Sequence, residues 1–255
     1  MDKRLTFNEN AANYDRWRPL YCEALFRDVL AYSRIGQDCQ TVEIGIGTGQ
    51  ATGPFVRTGC SLTAVELGGE LAAYSRQKFQ QFSNFKVTHT SFEAFECPEA
   101  SIDLIYSATA FHWIPESAGY PKVFRLLKPG GTVALFWNRP YVGREDDALH
   151  QSIQQIYHKY RPSGQKLIEY DTSKYDAVSN SLRTYGFEDV RLKLYHMTRS
   201  FTAPDYIALL NTYSDHRTMP SADKEGLEQE IAAAIIHAGN ILHVYDTIDL
   251  HLARK

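Results

Sequence analysis

The stretch Val42-Glu43-Ile44-Gly45-Ile46-Gly47-Thr48-Gly49-Gln50 limits what this chain can fold into more than any other. A short apolar run that ends in glycines reads as a buried strand entering a tight turn. Glycine has no Cβ, so the backbone at such a turn can approach a ligand closely. The next hundred residues repeat the same alternation. Leu62–Leu67 predicts a second strand, followed by a helix over 69–82. Residues 85–88 and 102–106 read as the third and fourth strands. A helix over 116–127 stops at Lys128-Pro129-Gly130-Gly131, and a fifth strand runs over 132–137. Strands alternating with helices from 40 to 138 predict an α/β fold, a Rossmann-like doubly wound and mainly parallel sheet. Right-handed crossovers place the strand C-termini along one edge, and ligands bind there.

The flanks read differently. Residues 5–35 have helical spacing, with Pro19 suited to a helix start. Beyond the fifth strand, 144–160 predicts a helix, 187–201 a strand, 204–212 and 222–238 a helical pair, and 241–252 a final strand. These assignments predict one domain over 1–255. Residues 1–36 form a helical lid and 37–140 the Rossmann-like core. Residues 141–255 hold the remaining strands and a helical cap, built from insertions at 144–180 and 204–239.

The spacing of the loop sharpens its chemistry. It is G-x-G-x-G, with the third glycine one residue too early for the dinucleotide fingerprint. No Lys-Ser/Thr follows it, which excludes a Walker A loop. Glu43 lies two residues before the first glycine, where a carboxylate repels a pyrophosphate and attracts a cation. Glu66 ends the second strand, at the distance where an acid grips a ribose. A carboxylate has lone pairs enough to accept from both ribose hydroxyls. S-adenosylmethionine carries an α-amino group and a sulfonium, whereas NAD carries phosphates, so these two acids favour the former.

Bulk properties remove other classes. The formal net charge is -3 with 44% apolar residues. That gives no basic footprint for nucleic acid, so no nucleic-acid partner is expected. The N-terminus lacks the apolar core of a signal peptide, and no stretch approaches the roughly 20 apolar residues of a membrane span. The expectation is a cytoplasmic protein without a membrane partner. Cys22, Cys39, Cys60 and Cys97 are scattered, read as reduced thiols, and suggest no metal site.

The chain resembles the class I S-adenosylmethionine-dependent methyltransferases of the type 11 group, and within them trans-aconitate methyltransferase-like small-molecule enzymes. The residues that carry this resemblance are Asn13-Tyr14-Asp15-Arg16-Trp17-Arg18-Pro19, the loop from Glu43 to Gly49, Glu66, Ser91-Phe92-Glu93, Ala110-Phe111-His112-Trp113-Ile114 and Leu127-Lys128-Pro129-Gly130-Gly131. The resemblance implies that backbone around Gly45, Ile46, Gly47 and Gly49 faces the cofactor. It also implies that Glu66 holds the ribose and Leu67 packs on adenine. Ser91 and Phe92 stand where many relatives carry Gly-Asp, so the adenine contact differs. Ala108, Phe111 and Trp113 frame the pocket after the fourth strand. The product would be S-adenosylhomocysteine.

His112 is the candidate general base, because imidazole titrates near neutral pH. The competing reading makes His112 and Trp113 plain pocket wall. Tyr14 would offer a ring face to the sulfonium, and Arg18 would hold a carboxylate through its planar fork. Arg18, Arg139 and Arg144 together make an acidic acceptor attractive. The Tyr-rich cap, with Tyr141, Tyr157, Tyr160, Tyr170, Tyr175, Tyr206 and Tyr213, would wall the acceptor. His216 and His237 read as surface or satisfied histidines. Asp103 reads as a partner for a backbone amide, and Asp146-Asp147 as a solvated helix start. Ser107-Ala108-Thr109-Ala110 is not the Asn/Asp-Pro-Pro-Tyr/Phe motif of enzymes that methylate adenine or glutamine amides, and Cys97-Pro98 does not fit a cytosine-type nucleophile. A small-molecule acceptor is therefore the expected partner. The alternatives are an RNA or protein methyltransferase, which predicts a basic stripe at the pocket mouth, and a regulatory protein that binds the cofactor without transferring it. The sequence leaves the oligomeric state open.

Overall fold

The computed structural model describes residues 11–161 and 172–255, with side chains from 176 onward in the second stretch. In chain order the elements are α1 (Ala11–Trp17), α2 (Glu23–Ser33), β1 (Gln40–Ile44), α3 (Thr52–Val56), β2 (Ser61–Glu66), α4 (Gly69–Lys78), β3 (Phe85–His89), β4 (Ile102–Ala108), α5 (Glu116–Leu126), β5 (Leu127–Tyr141), α6 (Ala148–Tyr160), α7 (Thr172–Thr184), β6 (Glu188–Phe201), α8 (Ala203–Leu210), α9 (Ser214–Arg217), α10 (Ser221–His237) and β7 (Leu242–Arg254). They build one seven-stranded sheet in the order β3-β2-β1-β4-β5-β7-β6. The first five strands run parallel. β7 pairs antiparallel with both β5 and β6. The doubly wound α/β sheet read from the sequence is the observed one, and strand order reverses between β1 and β4. A crevice opens there, past the strand C-termini.

Two apolar layers cover the sheet. Leu25, Val29, Phe55, Leu62, Tyr106 and Phe136 pack on one face under α2 and α3. Ile44, Val65, Ile105, Val123, Leu135 and Leu182 pack on the other under α5 and α7. A third cluster, including Ile153, Leu209, Leu227, Ile231 and Val244, fills the space between α6, α8 and α10 and the ends of β6 and β7. This third cluster is the cap. The sequence placed 144–180 in it as a whole. In the structure only α6 belongs there, because Val178 and Leu182 of α7 pack against the sheet. Residues 162–171 lie outside the described residues.

Two helical predictions change. The helix expected over 5–35 is two helices, with residues 5–10 outside the described part. Pro19 restricts Arg18 and donates no amide, so α1 ends at Trp17. α2 begins at Glu23, four residues past the expected start at Pro19. Lys128-Pro129-Gly130-Gly131 was expected to end a helix, and α5 does end at Leu126. Leu127 then opens β5, and the four residues lie within it, with Gly130 at φ 76. Asp103 meets its expectation, since it accepts from the Gln40 amide at 2.8 Å. Asp147 caps α6 by accepting from the His150 amide. All four cysteines are free. Among the described residues, no helix is long and apolar enough to cross a membrane.

α1 lies across the crevice. Asp15 reaches Lys78 at 2.5 Å and Tyr74 at 3.0 Å on α4. Asn13 donates to the Ala208 carbonyl of α8 at 3.5 Å. The lid therefore ties the core to the cap. Ile231 is fully buried in the cap cluster. Ile231→Ala is expected to lower the unfolding free energy by about 2–5 kcal/mol, measured by urea denaturation. A loss below half a kilocalorie would mean that the cap is not packed as described.

Candidate functional site

The crevice holds a chamber of about 340 Å³. Its floor is the glycine loop. The Gly45 amide donates to the Val65 carbonyl at 2.8 Å, which pins the loop to β2. Gly47 has φ 58, and a Cβ there would stand 3.4 Å from the Tyr14 ring, in the chamber itself. Gly49 has φ 83, and a Cβ there would lie 2.3 Å from the Phe79 ring. The loop is thus kept bare on the chamber side by Gly47 and packed on its far side by Gly49.

Two buried acids flank this floor. Glu43 is 1% exposed, and its Oε2 accepts from Thr52 Oγ1 at 2.7 Å and from the Tyr106 hydroxyl at 2.8 Å. Burial pushes its carboxyl up to about 8, against the two hydrogen bonds that favour the charged form. Glu66 is 8% exposed, with Oε2 accepting from the Gly47 amide at 2.9 Å and Oε1 from the Gly68 amide at 2.8 Å. Those two amides fix the plane of the carboxylate. Burial raises its pKa as well, and the amide hydrogen bonds oppose the shift.

Of the site residues named from the sequence, Tyr14, Arg18, Glu43, Gly45, Ile46, Gly47, Glu66, Leu67, Ser91, Phe92, Ala108, His112 and Trp113 line the chamber. Gly49 and Phe111 do not. Phe111 is 3% exposed and packs edge-on against Tyr120, with ring centroids 5.0 Å apart. Ser91 turns its hydroxyl to the Ala94 amide at 3.2 Å. Glu93 also faces the chamber from this loop.

Arg18 is held in three ways. Its Nη2 donates to the Thr212 carbonyl at 2.7 Å, and its guanidinium lies 4.7 Å from the Tyr14 ring centroid and 4.6 Å from that of Tyr213. One face of Tyr14 is therefore already covered by a cation. Opposite the loop, Thr109 sits at φ 53, a conformation that is costly for a β-branched residue. Its Oγ1 accepts from the Asn138 amide at 3.2 Å and hydrogen-bonds the Tyr21 hydroxyl at 2.7 Å. Tyr21, Thr109, Asn138 and Arg139 were not named from the sequence as cofactor or catalytic residues. Their partners lie far along the chain, so no local pattern marks them.

His112 is exposed to the chamber. Its Nδ1 accepts from the Trp137 indole Nε1–H at 3.0 Å. An indole nitrogen only donates, so the ring carries its proton on Nε2. Enclosure, then the guanidinium groups of Arg139 and Arg18, hold its pKa down to about 4. The candidate base thus offers the chamber a donor and has its lone pair already engaged.

Arg139 Nε donates to Asp249 Oδ1 at 3.2 Å. Asp249 Oδ2 meets His251 Nε2 at 3.2 Å, and His251 Nδ1 meets the Ser179 hydroxyl at 3.1 Å. Ser, His and Asp in this order resemble a nucleophile relay. All three are buried away from the chamber, so the string anchors Arg139 instead. Arg144, expected beside Arg18 and Arg139, lies 3.4 Å over the Tyr245 ring and is not on the chamber wall.

The cap contributes Tyr213, Ser214 and Asp215 to the chamber. Of the other tyrosines expected there, Tyr141 donates to the Gly143 carbonyl, Tyr157 bonds His216 and Tyr160 donates to Glu230. Tyr206 is buried. Tyr170 and the Tyr175 side chain lie outside the described residues. His216, expected at the surface or satisfied, is 3% exposed, and its Nδ1 has no partner among the described residues. Among the described residues no group of three or more His, Cys, Asp or Glu side chains could hold a metal ion.

The chain is similar to known methyltransferases in sequence and fold. Residues 42–135 match the methyltransferase domain family. An uncharacterised methyltransferase-like protein of Schizosaccharomyces pombe is 24% identical over 229 residues, covering 89% of this chain and 84% of that protein. The trans-aconitate 2-methyltransferase of an Azoarcus species is 26% identical over 132 residues, or 51% of this chain and 49% of that enzyme. A putative type II methyltransferase from Anaeromyxobacter dehalogenans shares the fold with a TM-score of 0.65 at 18% identity, over 93% of this chain and 97% of that one.

The raised pKa of Glu43 has a consequence for stability. Its neutral form is favoured in the folded chain, so its contribution is complete below the ordinary value of 4.5 and is lost as pH rises through about 8. Glu43→Gln stays neutral and keeps an oxygen for Thr52 and Tyr106. Its melting temperature is expected to match the parent at pH 5 and exceed it by several degrees at pH 9, since about 2–4 °C corresponds to one kilocalorie per mole at this size. Thermal scans across that range check it. Equal melting temperatures throughout would contradict a strongly buried Glu43.

Proposed function

We propose, from the premise that this chain is a class I S-adenosylmethionine-dependent methyltransferase, that its acceptor is a small molecule enclosed between lid, cap and strand ends. The observation that carries the reading is the chamber itself. Two buried acids, a bare glycine loop, and Arg18, Arg139, His112 and Tyr213 line it together. The trans-aconitate enzyme among the relatives has, by its name, a small acceptor. We place the protein in the cytoplasm, in keeping with the sequence.

The residues present fit the cofactor. A Cβ at Gly47 would occupy the space that a bound ligand needs beside Tyr14. Glu66 keeps lone pairs beyond the two used by the Gly47 and Gly68 amides, and these accept ribose hydroxyls. Leu67 and Phe92, both on the chamber wall, would hold the adenine. Glu43 would meet the cationic aminoacid end, and Arg18 would hold its carboxylate by charge-assisted hydrogen bonds. When bound, S-adenosylmethionine supplies a methyl group activated by its sulfonium. The protein's part is then alignment and exclusion of water. Tyr14, Tyr21 and Trp113 close the chamber, and the strained Thr109 is held by Tyr21 and Asn138 so that the turn after β4 keeps its shape. His112 contributes a donor on Nε2 and does not act as a base.

The reading is tested by incubating the protein with methyl-labelled cofactor and a cell extract separated into small-molecule, RNA and protein fractions. Label is expected in the small-molecule fraction alone. Label in RNA or protein would overturn the proposed acceptor class, and cofactor binding with no label in any fraction would favour a regulatory binder. Arg18→Ala is expected to weaken cofactor binding at least tenfold, which is about 1.4 kcal/mol. Calorimetric titration reads this, and an unchanged dissociation constant would remove the clamp.

A further inference from the structure

Three polar residues of the chamber wall, Asn138, Arg139 and His112, are read as its acceptor end. Asn138 is 7% exposed and lies on the chamber wall. Its Oδ1 is buried without a hydrogen-bond partner among the described residues. Buried carbonyls are almost always satisfied, so an unpaired one on a residue of the chamber wall points to an incoming donor. Sites that leave such a group for the substrate discriminate strongly against analogues lacking the matching donor. Next to it, Arg139 is anchored through Nε by the buried Asp249, which His251 and Ser179 hold in turn. One residue before Asn138, the Trp137 indole keeps the His112 proton on Nε2. Protonation of Nδ1 would set two N–H groups face to face.

The groups differ in what they ask of a ligand. Arg139 and the His112 Nε2–H ask for an oxyanion, and Asn138 Oδ1 asks for an O–H or N–H. Asp215 is the one carboxylate among the described residues that the cap brings to this end. It is paired with Arg161 at 2.7 Å.

We infer that the acceptor is a small oxyanion carrying a hydrogen-bond donor beside the anionic group, read by His112, Arg139 and Asn138, with Trp137 as the residue that positions His112. This rests on the proposed function, because it assigns the part of the chamber left for the acceptor. It makes Asn138 a specificity residue, and it gives Trp137 a role through His112 and not through contact with the acceptor.

Two measurements test it. In protein labelled with nitrogen-15 at histidine and assigned with His112→Gln, long-range proton–nitrogen spectra should show His112 protonated on Nε2 and bare on Nδ1. Trp137→Phe should introduce the other tautomer. A wild-type ring protonated on Nδ1 overturns the inference. The second measurement uses protein saturated with S-adenosylhomocysteine and titrated with short 2-hydroxy carboxylic acids, the same acids without the hydroxyl, and the methyl esters of both. The hydroxy acids should bind at least tenfold tighter than the deoxy acids, and the esters should not bind. Asn138→Ala should abolish the preference for the hydroxyl while acids still bind. Trp137→Phe should weaken acid binding severalfold with affinity for S-adenosylhomocysteine unchanged. Esters that bind as well as acids, a hydroxyl preference that survives Asn138→Ala, or a panel with no binder would each overturn it while S-adenosylhomocysteine still binds. If the wild type does not bind S-adenosylhomocysteine, the cofactor reading falls first and this one with it.

Discussion

Two carboxylates buried at the ends of neighbouring parallel strands set the terms for the rest of the structure. An ionised acid in a protein interior is costly unless donors meet it. Glu43 is met by Thr52 and Tyr106, one from the helix after the loop and one from the strand beside it in register. Glu66 is met by two backbone amides, one of them in the glycine loop. Meeting these demands ties β1, β2, β4 and the loop into a single rigid floor. On the proposed function, a ligand would bring a positive charge to Glu43 and hydroxyls to Glu66.

The walls follow from that floor. Strand order reverses between β1 and β4, so the loops after both strands converge above it. The antiparallel hairpin-like pair β6 and β7 extends past the parallel strands and carries α8, α9 and α10 between its arms. That extension holds the cap over the chamber. The lid returns from the other end of the chain, with Arg18 sandwiched between Tyr14 and Tyr213. One arginine thus joins lid and cap, through Tyr14 on one side and Tyr213 and Thr212 on the other.

The core was legible in the sequence because its signals are local. The strand-glycine-helix pattern around Gly45, the acid ending β2 and the apolar runs of β3 and β4 each lie within a few residues. What was not legible depends on distant partners. Thr109 is explained by Tyr21, 88 residues away, and Arg139 by Asp249, 110 residues away. Trp137 donates to His112 Nδ1, so a histidine that reads as a base in isolation has that lone pair engaged in context. Gly49 and Phe111 belong to the same motifs as true chamber residues, yet Phe79 and Tyr120 claim them for packing. α7 shares helical spacing with the cap helices, and only its contacts show that it lies on the sheet.

The central claim is that a buried, largely neutral Glu43 waits for a cationic cofactor. It is tested most directly by calorimetric titration with S-adenosylmethionine and with NAD at pH 7, in two buffers of different ionisation enthalpy. With the Glu43 carboxyl held at about 8, arrival of the cation should drive it to its charged form and release up to one proton. The account predicts tight S-adenosylmethionine binding whose heat differs between the buffers, and no binding of NAD. Binding of NAD, or S-adenosylmethionine binding with no proton released, would contradict it.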